Sequence, residues 1–211
     1  MKAVKYPWAP DVYLAFPWRY KLDKNIRPGS FLMVSRDGER WTRYEAPYYF
    51  AAGGTLDGLT IREALMEQGM IRRGDRIWQY GTIRFTEHAG ALYGGVEHEG
   101  GIHDRLLRLT QRLDGFVSLD AGAEGGSATT KPLTFSGGVL RINFEAAGSL
   151  RVQVLDEAGK AVAESEPATG DAVSHEVRWT GGADLRKLEG KTVRLRFDLK
   201  NAKLYAFQFG P

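Results

Sequence analysis

From residue 116 onward, apolar and polar positions alternate in short runs, and this alternation is the strongest pattern in the chain. Residues 139–144 set Leu140, Ile142 and Phe144 on one side, and residues 150–154 do the same with Leu150, Val152 and Val154. Residues 193–199 place Val193, Leu195, Phe197 and Leu199 inward, with Arg194, Arg196 and Asp198 outward. A strand sends successive side chains to opposite faces, so a period of two predicts half-buried strands. Turn signals separate the runs: Ser136-Gly137-Gly138, Asp156-Glu157-Ala158-Gly159, Thr180-Gly181-Gly182 and Lys200-Asn201-Ala202. Short strands at this spacing predict an antiparallel β-sandwich or jelly roll over 116–211. One helical turn is expected at 183–188, where Leu185 and Leu188 share a face.

The preceding part also reads mainly as strands, at 12–18, 31–35, 40–44, 76–80, 91–96 and 105–113. Segment 60–67 admits two readings. Thr60 and Glu63 fit a helix capping box with Ile61 and Leu65 on one face. The strand-turn-strand pattern of 70–78 favours instead an extended segment with an irregular lead-in. Texture changes near 113–122: four of the five tryptophans lie in the first eighty residues, and Gly-rich turns follow. The expectation is therefore an all-β chain of two units, 1–115 and 116–211, divided at Gly115.

Composition narrows the class. Hydrophobic residues make up 43% and charged residues 26%, and no apolar run approaches the roughly 18 residues of a membrane helix. No cysteine is present, so thiolate metal sites and disulfides are excluded. Pro7, Pro10 and Asp11 interrupt the apolar stretch an export signal needs. Basic residues exceed acidic ones by 17 to 14 before residue 116 and balance at 12 to 12 after it. They are scattered along the chain, and Arg72-Arg73 is followed at once by Asp75, so neither nucleic acid nor membrane is expected as a partner.

The sharpest local motif is Ser35-Arg36-Asp37-Gly38-Glu39-Arg40-Trp41. Asp at a tight β-turn accepts hydrogen bonds from turn amides, Gly permits a positive φ, and the following Trp can pack between sheets. The motif resembles the Asp box of sialidase-type propellers, with one residue fewer between Asp and Gly, which makes Asp37 structural rather than catalytic. A second hairpin, Arg73-Gly74-Asp75-Arg76-Ile77-Trp78, follows at about one propeller-blade repeat of roughly 40–50 residues. Together with Tyr13-Leu14-Ala15-Phe16-Pro17 and His88, these segments look like the closing blades of five-bladed propellers, similar to glycoside hydrolases of the invertase and arabinanase kind. The tail, from Leu113-Asp114-Gly115-Phe116 through Thr129-Thr130-Lys131-Pro132 to Leu204-Tyr205-Ala206-Phe207, looks like the β-sandwich that follows the propeller in bacterial members.

The resemblance implies a partial β-propeller of about the last two blades followed by a sandwich. Five blades need roughly 200–250 residues, so the chain reads as a fragment of a longer, exported parent. Such glycosidases use two or three inward carboxylates. The family's first-blade carboxylate would lie upstream of Met1, so catalysis by this chain alone is not expected. The remaining catalytic candidates are Glu63, Glu67 and His88; the two glutamates read more readily as solvated charges on an exposed turn, and His88 equally well as a packed loop histidine. Candidate substrate-binding residues are Arg19, Tyr20, Tyr80, Arg84 and His88, since Arg fixes hydroxyls or carboxylates and aromatic rings stack on sugar faces. Tryptophans in this part read as core between blades.

His98 and His103, with Glu97, Glu99 and Asp104, lack ordered ligand spacing and read as loop polarity, so no metal and no cofactor is expected. No GxSxG elbow, Walker loop or GxGxxG occurs, and the Gly-rich 121–127 precedes a strand rather than a helix. The expected partner is carbohydrate. The competing reading is a non-catalytic carbohydrate-binding or structural module.

Overall fold

The computed structural model describes residues 3–9, 11–19, 28–44, 48–85 and 104–211. Those residues are all-β, with two short 3-10 turns as the helical content. The chain divides into two compact units, 1–111 and 112–211. The expected strand at 91–96 lies outside the described residues.

The first unit is built from short strands. They are β1 (Ala3–Lys5), β2 (Tyr13–Ala15), β3 (Trp18–Arg19), β4 (Gly29–Ser30), β5 (Leu32–Ser35), β6 (Trp41–Tyr44) and β7 (Phe50–Ala51). After these come β8 (Thr55–Leu56), β9 (Leu59–Thr60), β10 (Glu63–Met66), β11 (Ile71–Arg73), β12 (Arg76–Arg84) and β13 (Arg105–Arg112). An antiparallel sheet runs β1-β2-β5-β6, a smaller one β3-β4-β7, and β8 pairs β9. The remaining sheet is centred on β12, which pairs with β10, β11 and β13.

The expected strand 12–18 is two strands in different sheets. Pro17, which has no N–H to give a ladder, stands at the break, and its carbonyl accepts from Phe31 N–H at 3.1 Å. The helix alternative at 60–67 does not form. Glu63–Met66 pairs with β12 in the register Glu63↔Arg84 to Met66↔Gly81. Gly81 is required there, because a Cβ at this position would sit 2.6 Å from the Phe50 ring.

At the Ser35–Trp41 turn, Asp37 Oδ1 accepts from Arg40 N–H at 2.7 Å, Glu39 N–H at 2.9 Å and the Ser35 hydroxyl at 3.0 Å. Trp41 Nε1 donates to the Gly38 carbonyl at 3.0 Å, and Gly38 has φ +81°. The Arg40 and Glu39 amides hold the Asp37 carboxyl below its ordinary value. Asp37 is thus occupied in closing its own turn. All five tryptophans are half-buried rather than core.

The second unit comprises β14 (Leu119–Ala121), β15 (Gly126–Thr129), β16 (Val139–Leu155), β17 (Ala161–Glu164), β18 (Ala168–Glu176) and β19 (Arg194–Gly210). The runs expected at 139–144 and 150–154 are one long strand, β16. It pairs with β19 from Val139↔Gly210 to Leu155↔Arg194, with a register shift between Ala146 and Ser149. A Cβ on Gly148 would lie 2.3 Å from the Lys200 carbonyl oxygen, so only glycine allows the two backbones to meet at this irregularity. Leu140, Ile142 and Phe144 before the shift and Leu150, Val152 and Val154 after it belong to one buried cluster with Leu195, Phe197, Leu199 and Leu204. Both halves of the long pair therefore fold onto a common core.

Arg112 opens this unit with a dense set of contacts. Its guanidinium donates to Asn143 Oδ1, Asp171 and the Phe144 carbonyl, and lies 5.0 Å from the centre of the Tyr205 ring. Asn143 Nδ2 donates to the Leu113 carbonyl at 2.7 Å, and the Tyr205 hydroxyl donates to Glu145 at 2.8 Å. Burial, followed by the Glu145 hydrogen bond, pushes Tyr205 up to about 12.

Candidate functional site

The site is set by the alternation of β12. Ile77, Gln79, Gly81 and Ile83 are buried on one face, while Trp78, Tyr80, Thr82 and Arg84 line the half-open face. Directly opposed residues of antiparallel strands share a face, so the register brings Glu63 beside Arg84. The Glu67 N–H donates to the Tyr80 carbonyl at 2.9 Å, which continues the pairing and sets Glu67 opposite Tyr80 and diagonal to Thr82.

Glu63 is only 1% exposed, although its neighbours on this face are half-open. A buried carboxylate is tolerated when it is paired and hydrogen-bonded. Arg84 Nη1 lies 3.3 Å from Glu63 Oε2, and Arg84 Nε lies 3.1 Å from Asp104 Oδ2. Glu67 is half-exposed, and the Thr82 hydroxyl donates to its Oε1 at 2.8 Å. Two carboxylates, a guanidinium, a hydroxyl and the Tyr80 ring thus lie along one sheet face. Such a row can accept from and donate to a hydroxyl-rich ligand.

The structure brings together Glu63, Glu67, Tyr80 and Arg84 from the sequence candidates. Arg19 stands elsewhere, on β3 opposite Gly29. That strand's sheet joins β10 through the buried Ser30, whose hydroxyl accepts from Met66 N–H at 3.0 Å. Tyr20, His88, His98 and His103 lie outside the described residues. Among the described residues, no group of three His, Asp or Glu side chains could hold a metal ion.

Sequence reasoning missed the polar group on the opposite, buried face. Gln79 Oε1 accepts from the Tyr49 hydroxyl and from Gln111 Nε2 at 3.3 Å. Among the described residues its Nε2 has no hydrogen-bond partner. Burial pushes the Tyr49 phenol well above its ordinary value, which keeps it a neutral donor. A Gln at an inward position of an otherwise apolar alternation, Ile77-x-Gln79-x-Gly81-x-Ile83, was the available signal. Also unforeseen is a cleft of about 280 Å³ in the second unit, with Ile142, Val152 and Val177 among its buried lining and Glu166, His175 and Arg178 among its polar lining.

No protein-family model matches the chain, and no curated protein matches it. Among solved structures it is similar to a glycoside hydrolase family 43 arabinoxylan arabinofuranohydrolase from Bacillus subtilis in complex with cellotetraose. The TM-score is 0.29 at 13% identity, over 99% of this chain and 53% of that one. The chain thus spans about half the length of that structure.

Proposed function

We propose that this chain is a glycoside-hydrolase-like protein that binds polysaccharide through the half-open face of β10 and β12. The observation that carries the reading is the Glu63 carboxylate, buried at 1% exposure yet set beside Arg84 on a face shared with Glu67, Thr82 and Tyr80. The buried Glu63 holds the Arg84 guanidinium in place; Arg84 and the half-exposed Glu67 carboxylate can bond sugar hydroxyls, and the Tyr80 ring offers an apolar edge to a pyranose or furanose. In this reading the hairpins of the first unit are propeller blades, and the folded β16–β19 sheet is a sandwich. Saccharide binding by this face is the activity the reading predicts.

The test is calorimetric titration of the full chain with arabinan, fructan and xylan oligosaccharides. At least one should bind, and Glu63→Gln and Glu67→Gln should each weaken it about tenfold or more. Absence of heat with every glycan would overturn the reading.

The second-unit cleft favours a second reading, a non-catalytic binding module. Under it, His175→Ala and Arg178→Ala would abolish glycan binding, whereas Glu67→Gln would leave it intact.

A further inference from the structure

The half-open face of β12 does not end at Tyr80. Its next outward residues are Trp78 and Arg76, and the β11 register sets Ile71 opposite Trp78 and Arg73 opposite Arg76. Arg73 from β11 and Arg108 from β13 both reach the Trp78 indole, at 5.4 and 4.3 Å from the ring centre. Arg73, Arg76 and Arg108 are exposed, and none makes an ion pair among the described residues. Asp75, in the turn between β11 and β12, is exposed and forms no ion pair there either. Arginines scattered along the sequence are thus gathered by strand pairing around one aromatic ring.

Like charges directly opposed across a strand pair destabilise the sheet, so Arg73 against Arg76 is a local cost. Stacking on the indole orients a guanidinium while leaving its in-plane N–H groups free, and those N–H groups match a carboxylate or sulfate in a two-pronged hydrogen bond. An anion seated between them would relieve the repulsion without moving the side chains.

We propose that the Arg73–Trp78–Arg108 cluster is an acidic-sugar subsite, and that the polysaccharide bound on this face is one carrying uronic acid carboxylates. The inference rests on the reading of the face as a saccharide site and names its substrate class. A nucleic acid fits less well. Beyond Trp78 the face presents the half-exposed Glu67 carboxylate, which repels a uniform polyanion. A glycan can place its carboxylate at the arginine end and its hydroxyls over Thr82, Glu67 and Arg84.

The experiment titrates the full chain with a neutral oligosaccharide that carries one uronic acid residue, with the methyl ester of the same oligosaccharide, and with a short single-stranded DNA. The acidic oligosaccharide should bind at least tenfold more tightly than its ester and more tightly than DNA. Arg73→Gln and Arg108→Gln should each remove most of that preference. Lysine at either position should restore charge but only part of the affinity, which separates a two-pronged contact from simple attraction. Equal binding of acid and ester, full preference in both Gln variants, or tighter binding of DNA would each overturn the inference. Neutral glycans that bind and respond to Glu67→Gln while the ester control shows no charge preference would sink this inference alone. An acidic oligosaccharide that binds through the arginines but ignores Glu63→Gln and Glu67→Gln would instead sink the broader reading of the face. A circular dichroism spectrum matching the wild type confirms that each variant is folded.

Discussion

The two units use burial differently. The second collects Phe144, Phe197 and the aliphatic residues of β16 and β19 into one cluster, and its buried polar side chains are Asn143 and Ser165. Both of these satisfy backbone groups, Leu113 through Asn143 and Val152 through Ser165. The first unit divides its strands among several small sheets and buries Ser30, Ser35, Glu63 and Gln79. One of these is a carboxylate, and another keeps a buried amide nitrogen without a partner among the described residues. Buried polar groups that serve the backbone mark a scaffold, whereas buried polar groups that exceed its needs mark where chemistry is held in place.

The contrast can be broken most forcefully in the scaffold. Phe144→Ala, at a site with no exposure, should cost about 3–5 kcal/mol, read as a lowered denaturation midpoint. A loss below about 1 kcal/mol would mean that the cluster is not the main support of its unit. Asn143→Ala should cost about 1–3 kcal/mol, because it strips the Leu113 carbonyl of its donor and Arg112 of an acceptor. In the first unit, Glu63→Gln should cost only about 1 kcal/mol while reducing glycan affinity strongly. A large stability loss with unchanged affinity would make Glu63 structural.

Two effects of pH are smaller. The Tyr205 pKa is raised in the folded state, so its contribution is complete below its ordinary value of 10.0 and is lost as pH rises through about 12. Tyr205→Phe should flatten the loss of stability over that interval, and an unchanged alkaline profile would contradict the assignment. The Asp37 pKa is lowered instead. Its contribution is present above the ordinary 3.8 and fades as pH falls through the depressed value. The protection of the Glu39 and Arg40 amides relative to their intrinsic exchange rates should fall at acidic pH in the wild type and be low at all pH in Asp37→Ala.

What could be read from the sequence was local. The alternation at 139–144, 150–154 and 193–199 identified the inward residues of β16 and β19, since period-two burial needs no knowledge of partners. The Asp37 turn was equally legible, because every hydrogen bond that closes it spans three residues or fewer. That β16 is one strand was hidden, because Ala146-Ala147-Gly148-Ser149 carries no alternation, and a backbone contact with Lys200 explains the interruption. The Arg73–Trp78–Arg108 cluster was hidden for a related reason: it exists only once β11 and β13 both pair with β12. Glu63 was a candidate by residue type, but its burial depends on tertiary packing that no local window contains.

The β16–β19 register also bears on how the second unit is made. Val139 pairs with Gly210, and the hairpin closes inward to Leu155 and Arg194, so even its nearest partners are far apart along the chain. Such non-local pairing slows folding. During synthesis β17 and β18 can cover one edge of β16 as they follow it, but its other hydrogen-bonding edge stays uncovered until residues 194–210 follow. A ribosome that pauses between those two strands would hold a sticky, half-made sheet in the open, the interval in which chaperone capture or aggregation would be decided.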